Sequence, residues 1–147
     1  MEFAKDESHL FFSVNERVLI SRMLTGQFPN YEAVLPRENS RIVELDKNLI
    51  TAAIKRVALL ADERSRAMRL QVDKDRLEVF CSSGEYGEAH DALQIGFNYQ
   101  YLVDFLNVVG EGGKIRLELK DEQSAGQLRP SDEETYRYRY VVMPMRI

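Results

Sequence analysis

The chain has 147 residues, 44% hydrophobic and 30% charged, which suits one well-packed domain with an appendage and is too apolar for a disordered protein. No apolar run approaches the roughly 18 residues that a membrane span needs, and the acidic, mixed N-terminus is unlike a signal peptide, so we expect a cytoplasmic protein. The net charge of -4 argues against a protein that holds nucleic acid by its overall charge, because phosphate contacts need clustered cations.

The first elements in chain order are three short predicted strands, at residues 3–4, 9–14 and 17–23. Three strands without a helix cannot form a core. Pro29 and Pro36 then bracket a brief apolar turn, and the polar sequence RENS that follows is typical of a linker. We therefore place a domain boundary near Arg37.

A helix is predicted from Asp46, whose side chain can cap the first turn. Apolar residues recur through this segment at three- and four-residue spacing, which predicts a core-facing side formed by Leu49, Ile50, Ala53, Ile54, Val57, Leu60 and Ala61. The helix is thus expected to be amphipathic.

The opposite face of this helix carries a cationic stripe. Lys47, Thr51 and Lys55 lie one above another, with Arg56 beside them. Residues 46–69 hold six cations and three acids, a net charge of +3, which leaves -7 on the rest of the chain. Because solvated helix faces commonly carry lysines, the stripe alone does not indicate binding to DNA.

Strict alternation of apolar and polar residues predicts further strands around residues 70–72, 77–81 and 115–119. Between them, Asn98 can cap a second helix that stops at Gly110. The last predicted strand places three tyrosines on one side and two arginines on the other: Tyr136, Tyr138, Tyr140, Arg137 and Arg139. This order of elements predicts an α+β fold with mostly antiparallel strands.

Residues that would indicate an active site are missing from the sequence. His9 and His90 do not stand at a metal-ligand spacing, and the single cysteine, Cys81, has no partner for an internal disulfide. The glycine-rich stretch 110–113 follows a helix and lacks the lysine of a phosphate-binding loop. We predict a protein that is not an enzyme and that needs no metal or cofactor.

The C-terminal sequence YVVMPMRI, residues 140–147, is unusually apolar for a chain end. Unbranched methionine side chains adapt to different partners, so this tail is typical of a binding surface. A buried final strand explains the same residues equally well.

Five segments of the sequence resemble signature segments of the bacterial DNA polymerase III beta subunit family, the DNA sliding clamps, and they occur in that family's order: QFPNYEAVLP, ERSRAMRL, IGFNYQYLVDFLN, SAGQLRP and YVVMPMRI. The resemblance covers essentially the whole chain. It implies the DNA-clamp fold, α+β, with antiparallel sheets outside and two helices on the inner face. It assigns residues 1–37 to the end of the clamp's middle domain and residues 38–147 to its third domain, so that the first domain and most of the second are missing.

The resemblance also implies a ring in which two identical protomers pair head to tail around duplex DNA. The inner wall of that ring is helical and basic, so an acidic protein can hold DNA by encirclement with only a local cationic lining. The residues thereby expected to face DNA are Lys47, Lys55, Arg56, Arg64 and Arg66.

A second implied site is a hydrophobic pocket that takes short peptides of the polymerase III alpha subunit, the clamp loader, other polymerases and repair proteins. The positions that match the family's pocket are Pro29, Val34, Asn98, Tyr101, Val141, Val142, Met143, Pro144, Met145 and Arg146. Ala33 stands where relatives often carry arginine, which affects the expected peptide preference. The alternative reading is a stand-alone peptide-binding module that does not encircle DNA.

Overall fold

The computed structural model describes residues 1–81, 92–110, 112–132 and 137–146. The chain divides into two compact units, Met1–Tyr31 and Glu32–Ile147. The division falls six residues before the boundary that the sequence suggested near Arg37.

The first unit is an antiparallel meander of three strands with the order β1-β2-β3: β1 (Glu2–Lys5), β2 (His9–Val14) and β3 (Arg17–Arg22). All three predicted strands are confirmed. The turn between β1 and β2 is held by Asp6, whose carboxylate accepts hydrogen bonds from the backbone amides of Ser8 and His9 at 2.7 and 2.6 Å. No residue of this unit is buried, which agrees with the expectation that three strands cannot form a core.

Among its described residues, the second unit contains two α-helices and two antiparallel sheets, which confirms the predicted α+β class. The four-stranded sheet has the order β10-β9-β8-β4, and the three-stranded sheet has the order β6-β5-β7. The element bounds are β4 (Arg41–Asp46), α1 (Lys47–Ala58), β5 (Ala67–Asp73), β6 (Arg76–Phe80), β7 (Leu93–Asn98), α2 (Tyr99–Val108), β8 (Lys114–Leu119), β9 (Gly126–Pro130) and β10 (Tyr140–Val142).

The core of the second unit is formed by alternate residues of the strands and by one side of each helix. Its largest fully buried side chains are Phe97, Phe105, Ile54, Met68, Ile95, Ile115, Leu117 and Leu119. Gly126 lies at a closely packed point of this core, because a Cβ atom at that position would lie 3.1 Å from side-chain atoms of both Leu119 and Phe97. A side chain at residue 126 would therefore require these two neighbours to shift.

Helix α1 begins as predicted, since the Asp46 carboxylate accepts a hydrogen bond from the amide of Leu49 at 2.9 Å. Its buried residues are Ile50 and Ile54. The placement of Leu49 and Leu60 in the core was wrong, because their side chains are 73% and 79% exposed. The apolar face is narrower than the spacing suggested, and the helix ends at Ala58, so Leu60 belongs to the turn that follows.

Helix α2 is capped by Asn98, whose side chain accepts from the amide of Gln100 at 2.9 Å. It ends at Val108, two residues before the predicted stop, because the backbone is already extended at Val109. The predicted last strand is also shorter in the described residues. Strand β10 begins at Tyr140, and Tyr136 lies outside the described part of the chain.

Candidate partner-binding surface and basic helix face

The C-terminal tail connects the two sheets of the second unit. Strand β10 pairs with β9, with Val142 opposite Gly126. Three residues later the amide of Met145 donates a 2.8 Å hydrogen bond to the carbonyl of Gly96 in β7. Because Gly96 precedes Asn98 by two residues, this bond holds the tail near the start of α2.

Most of the predicted pocket residues of the tail remain accessible. Met143 is 65% exposed and Arg146 is exposed, whereas Val141, Pro144 and Met145 are half-buried. Tyr101, in the first turn of α2, is 50% exposed. We call these six residues the tail surface: Tyr101, Val141, Met143, Pro144, Met145 and Arg146.

Val142 does not belong to the tail surface, although the sequence placed it among the pocket residues. Its side chain is only 3% exposed and packs in the hydrophobic core. The sequence YVVMPMRI can be interpreted either as a buried final strand or as a binding surface. The first interpretation applies to Val142, which ends the strand, and the second to Met143, which is exposed.

Three other predicted pocket residues lie before the tail in the chain, and one of them, the half-buried Asn98, caps α2. Val34 is exposed and belongs to the second unit, whereas Pro29 belongs to the first. The segment after Val34 is fixed to the four-stranded sheet by Asn39, whose side-chain amide donates to the carbonyls of Glu118 at 2.8 Å and Ala125 at 3.1 Å. The sequence RENS is typical of a linker. It does not predict that Asn39, within this segment, is hydrogen-bonded to the four-stranded sheet.

Aromatic rings cover helix α2 beside the tail surface. The Phe105 ring is fully buried, and its centroid lies 5.6 Å from that of Tyr138 and 5.7 Å from that of Tyr140. Burial raises the pKa of the Tyr140 hydroxyl, and the nearby Asp104 carboxylate and Tyr138 and Tyr101 hydroxyls act in the same direction. Tyr138 and Tyr140 are half-buried, so they pack against the edge of the hydrophobic core.

The predicted basic face is only partly as expected. Lys55 and Arg56 are exposed on α1, and within the described residues neither forms a salt bridge. Lys47 is half-buried, and its ammonium group donates to the carbonyls of Val109 at 2.6 Å and Gly110 at 2.9 Å. These carbonyls lie at the C-terminus of α2, so Lys47 caps the neighbouring helix.

Arg64 and Arg66 are exposed in the loop between α1 and β5. Asp62 organises this loop, because its carboxylate accepts from the amides of Arg64 and Ser65 at 3.1 and 2.8 Å. The pKa of Asp62 is lowered, mainly by the backbone amide of Ser65. Arg66 has a φ of +51°, and its carbonyl accepts from the amide of Tyr99 at 2.9 Å. The two arginines are therefore presented by a structured turn.

The fold is that of a domain of a DNA sliding clamp. The crystal structure of the DNA polymerase III subunit beta from Pseudomonas aeruginosa matches at 32% sequence identity with a TM-score of 0.82, covering 99% of this chain and 42% of that one. The beta sliding clamp of Pseudomonas aeruginosa is 33% identical over 150 residues, covering 96% of this chain. A Pseudomonas aeruginosa sliding clamp bound to griselimycin matches at 30% identity with a TM-score of 0.74, covering 99% of this chain and 41% of that one.

The chain belongs to the DNA polymerase III beta subunit family, whose C-terminal domain matches residues 32–146. It spans about 40% of the length of the curated relatives it matches. The resemblance seen in the sequence is thus confirmed. In the described part of the chain, no helix is long and apolar enough to cross a membrane.

Proposed function

We propose that this chain acts as the C-terminal part of a sliding clamp, a cytoplasmic processivity factor with no catalytic activity. In this role it contributes to a ring of two protomers around duplex DNA and binds peptides of the polymerase III alpha subunit, the clamp loader, other polymerases and repair proteins. The observation that carries the proposal is the tail surface, on which Met143 and Tyr101 are exposed and the tail is held to β7 by the hydrogen bond from the amide of Met145 to the carbonyl of Gly96.

The domain assignment is part of the proposal. Residues 38–147 correspond to the third clamp domain, and residues 1–37 to the end of the middle domain. The first unit supports this assignment because its three strands have exposed apolar side chains, among them Phe3, Leu19 and Ile20. A sheet with no buried residue gains stability when further protein covers its apolar side chains.

The proposed DNA-facing residues are the exposed cations Lys55, Arg56, Arg64 and Arg66. Their contacts would be weak and independent of base sequence, because they lie on a helix face and a loop of an acidic protein. We leave Lys47 out of this set, because its ammonium group is held by the α2 carbonyls.

The proposed peptide site in the second unit consists of the tail surface with Asn98 at the helix start and with Val34. Griselimycin is a suitable probe, since a clamp related to this chain is described as bound to it. Half-buried apolar groups beside an exposed arginine suit a peptide, because the apolar groups bind side chains while the guanidinium group donates to a carbonyl or carboxylate.

Calorimetric titration of the chain with griselimycin tests the proposal. Met143→Ala removes an exposed apolar contact worth about 1–2 kcal/mol, so affinity should fall roughly 5- to 30-fold. The melting temperature should hardly change, because a 65% exposed side chain contributes little to folding. Ile42→Ala is the matched control, since Ile42 is similarly exposed on the edge strand β4 and should leave binding unchanged.

Two outcomes would contradict the proposal. Absence of any griselimycin binding to the parent chain would show that this chain does not form the peptide site. If Met143→Ala lowered the melting temperature by many degrees while the affinity of the folded fraction stayed unchanged, the tail would be structural.

A further inference from the structure

Helix α2 presents a second group of residues next to the tail surface. Tyr101, Asp104 and Phe105 are spaced at i, i+3 and i+4, so they share one side of the helix. Phe105 is covered by the rings of Tyr138 and Tyr140, at centroid distances of 5.6 and 5.7 Å. The Asp104 carboxylate and the hydroxyls of Tyr101 and Tyr138 lie near the hydroxyl of Tyr140, and we call Tyr101, Asp104, Tyr138 and Tyr140 the tyrosine subsite.

The Asp104 carboxylate of this subsite is accessible to solvent. Asp104 is exposed, and it accepts a 2.9 Å hydrogen bond from the amide of Gln100, a neutral group. Within the described residues it forms no salt bridge. The exposed Asp104 carboxylate is thus open to a cation of a bound molecule.

The subsite is continuous with the tail surface. Tyr101 belongs to both, and Tyr140 directly precedes Val141 in strand β10. A peptide that lies on Met143 and Tyr101 would therefore bring a flanking residue within reach of Asp104. Tyr101 and Asp104 lie about one helix turn apart, a rise of roughly 5 Å. Because an extended chain advances about 3.3 Å per residue, one or two flanking residues of the peptide cover this distance.

We propose that the tyrosine subsite binds a lysine or arginine side chain of the partner peptide, and that Asp104 makes this chain prefer peptides with a basic flanking residue. The physical basis is twofold. Aromatic faces attract cations through the negative charge of the ring face, and a carboxylate adds a direct ion pair. This preference for a basic flanking residue rests on the proposed function, because it concerns the same peptide site.

A lysine scan tests the preference. The probe is a clamp-binding peptide of a polymerase III alpha subunit, chosen because it competes with griselimycin for this chain. Lysine replaces each flanking residue in turn, and the reference peptide carries norleucine, which has a similar stem without the charge. Affinities are measured by fluorescence anisotropy for the parent chain, Asp104→Asn and Asp75→Asn. The last variant is the control, since it makes the same change in the exposed β5–β6 turn, where a φ of +60° suits asparagine.

At one flanking position the parent chain should bind the lysine peptide about 2- to 5-fold more tightly than the norleucine peptide. Asp104→Asn should remove most of this difference, Asp75→Asn should keep it, and added salt should reduce it. If the peptide binds but no position shows a lysine preference that depends on Asp104, the subsite is wrong while the peptide site stands. If neither griselimycin nor the peptide binds the parent chain, the proposed function fails, and the subsite fails with it.

Discussion

Lys47 and Lys55 stand two turns apart on helix α1, and the structure gives their ammonium groups different surroundings. Lys47 donates to two carbonyls at the C-terminus of α2, at 2.6 and 2.9 Å, whereas Lys55 is exposed. The same substitution, lysine to methionine, should therefore lower stability at position 47 and weaken DNA binding at position 55. Methionine keeps most of the apolar stem, so the change isolates the charge.

The magnitude for Lys47→Met follows from its two hydrogen bonds. Hydrogen bonds to charged groups contribute about 1.5–3 kcal/mol, and a cation at an exposed helix C-terminus about 0.3–1 kcal/mol. Lys47 is half-buried, and water can hydrate the freed carbonyls, so we expect a loss of about 1–2 kcal/mol in unfolding free energy. For a unit of this size the melting temperature should fall by about 4–8 °C.

The assay combines urea unfolding with duplex binding at several salt concentrations. Lys47→Met should lower the urea midpoint and leave the salt dependence of DNA binding unchanged. Lys55→Met should leave unfolding within about 0.5 kcal/mol of the parent and should weaken DNA binding, with a salt slope smaller by about one. If Lys47→Met left unfolding unchanged and weakened DNA binding as much as Lys55→Met, Lys47 would be a DNA contact and the helix-cap role would be refuted.

Two further predictions concern stability. Gly126→Ala should lower the unfolding free energy by about 1–3 kcal/mol, because its Cβ would lie 3.1 Å from the buried Leu119 and Phe97; an unchanged urea midpoint would show that the core relaxes around it. The pKa of Asp121 is lowered, first by the backbone amide of Gln123 and then by Ser124. A lowered folded-state pKa gives stability that is present above the unfolded pKa and lost as the pH falls through the folded one. Asp121→Asn should therefore flatten the decline in stability below about pH 4, and an identical acid-unfolding curve would contradict this.

The sequence by itself determined the structural elements that depend on interactions between residues close together in the chain. The caps at Asp46 and Asn98 bond to amides two or three residues away, and the strands of the first unit follow from alternation and turn residues. These signals involve groups that are neighbours in any helix or turn, whatever the rest of the chain does. The family resemblance also named Met143 and Arg146, which are exposed, although it named the buried Val142 with them.

Only the tertiary structure decided what the rest of the chain contacts. Lys47 reads as one more solvated lysine, and its role depends on carbonyls 62 and 63 positions further along the chain. Val142 and Met143 are adjacent apolar residues, yet one packs in the core and the other is exposed, because β10 ends between them. A pattern of residue types records which side chains avoid water, whereas their partners depend on how distant elements pack.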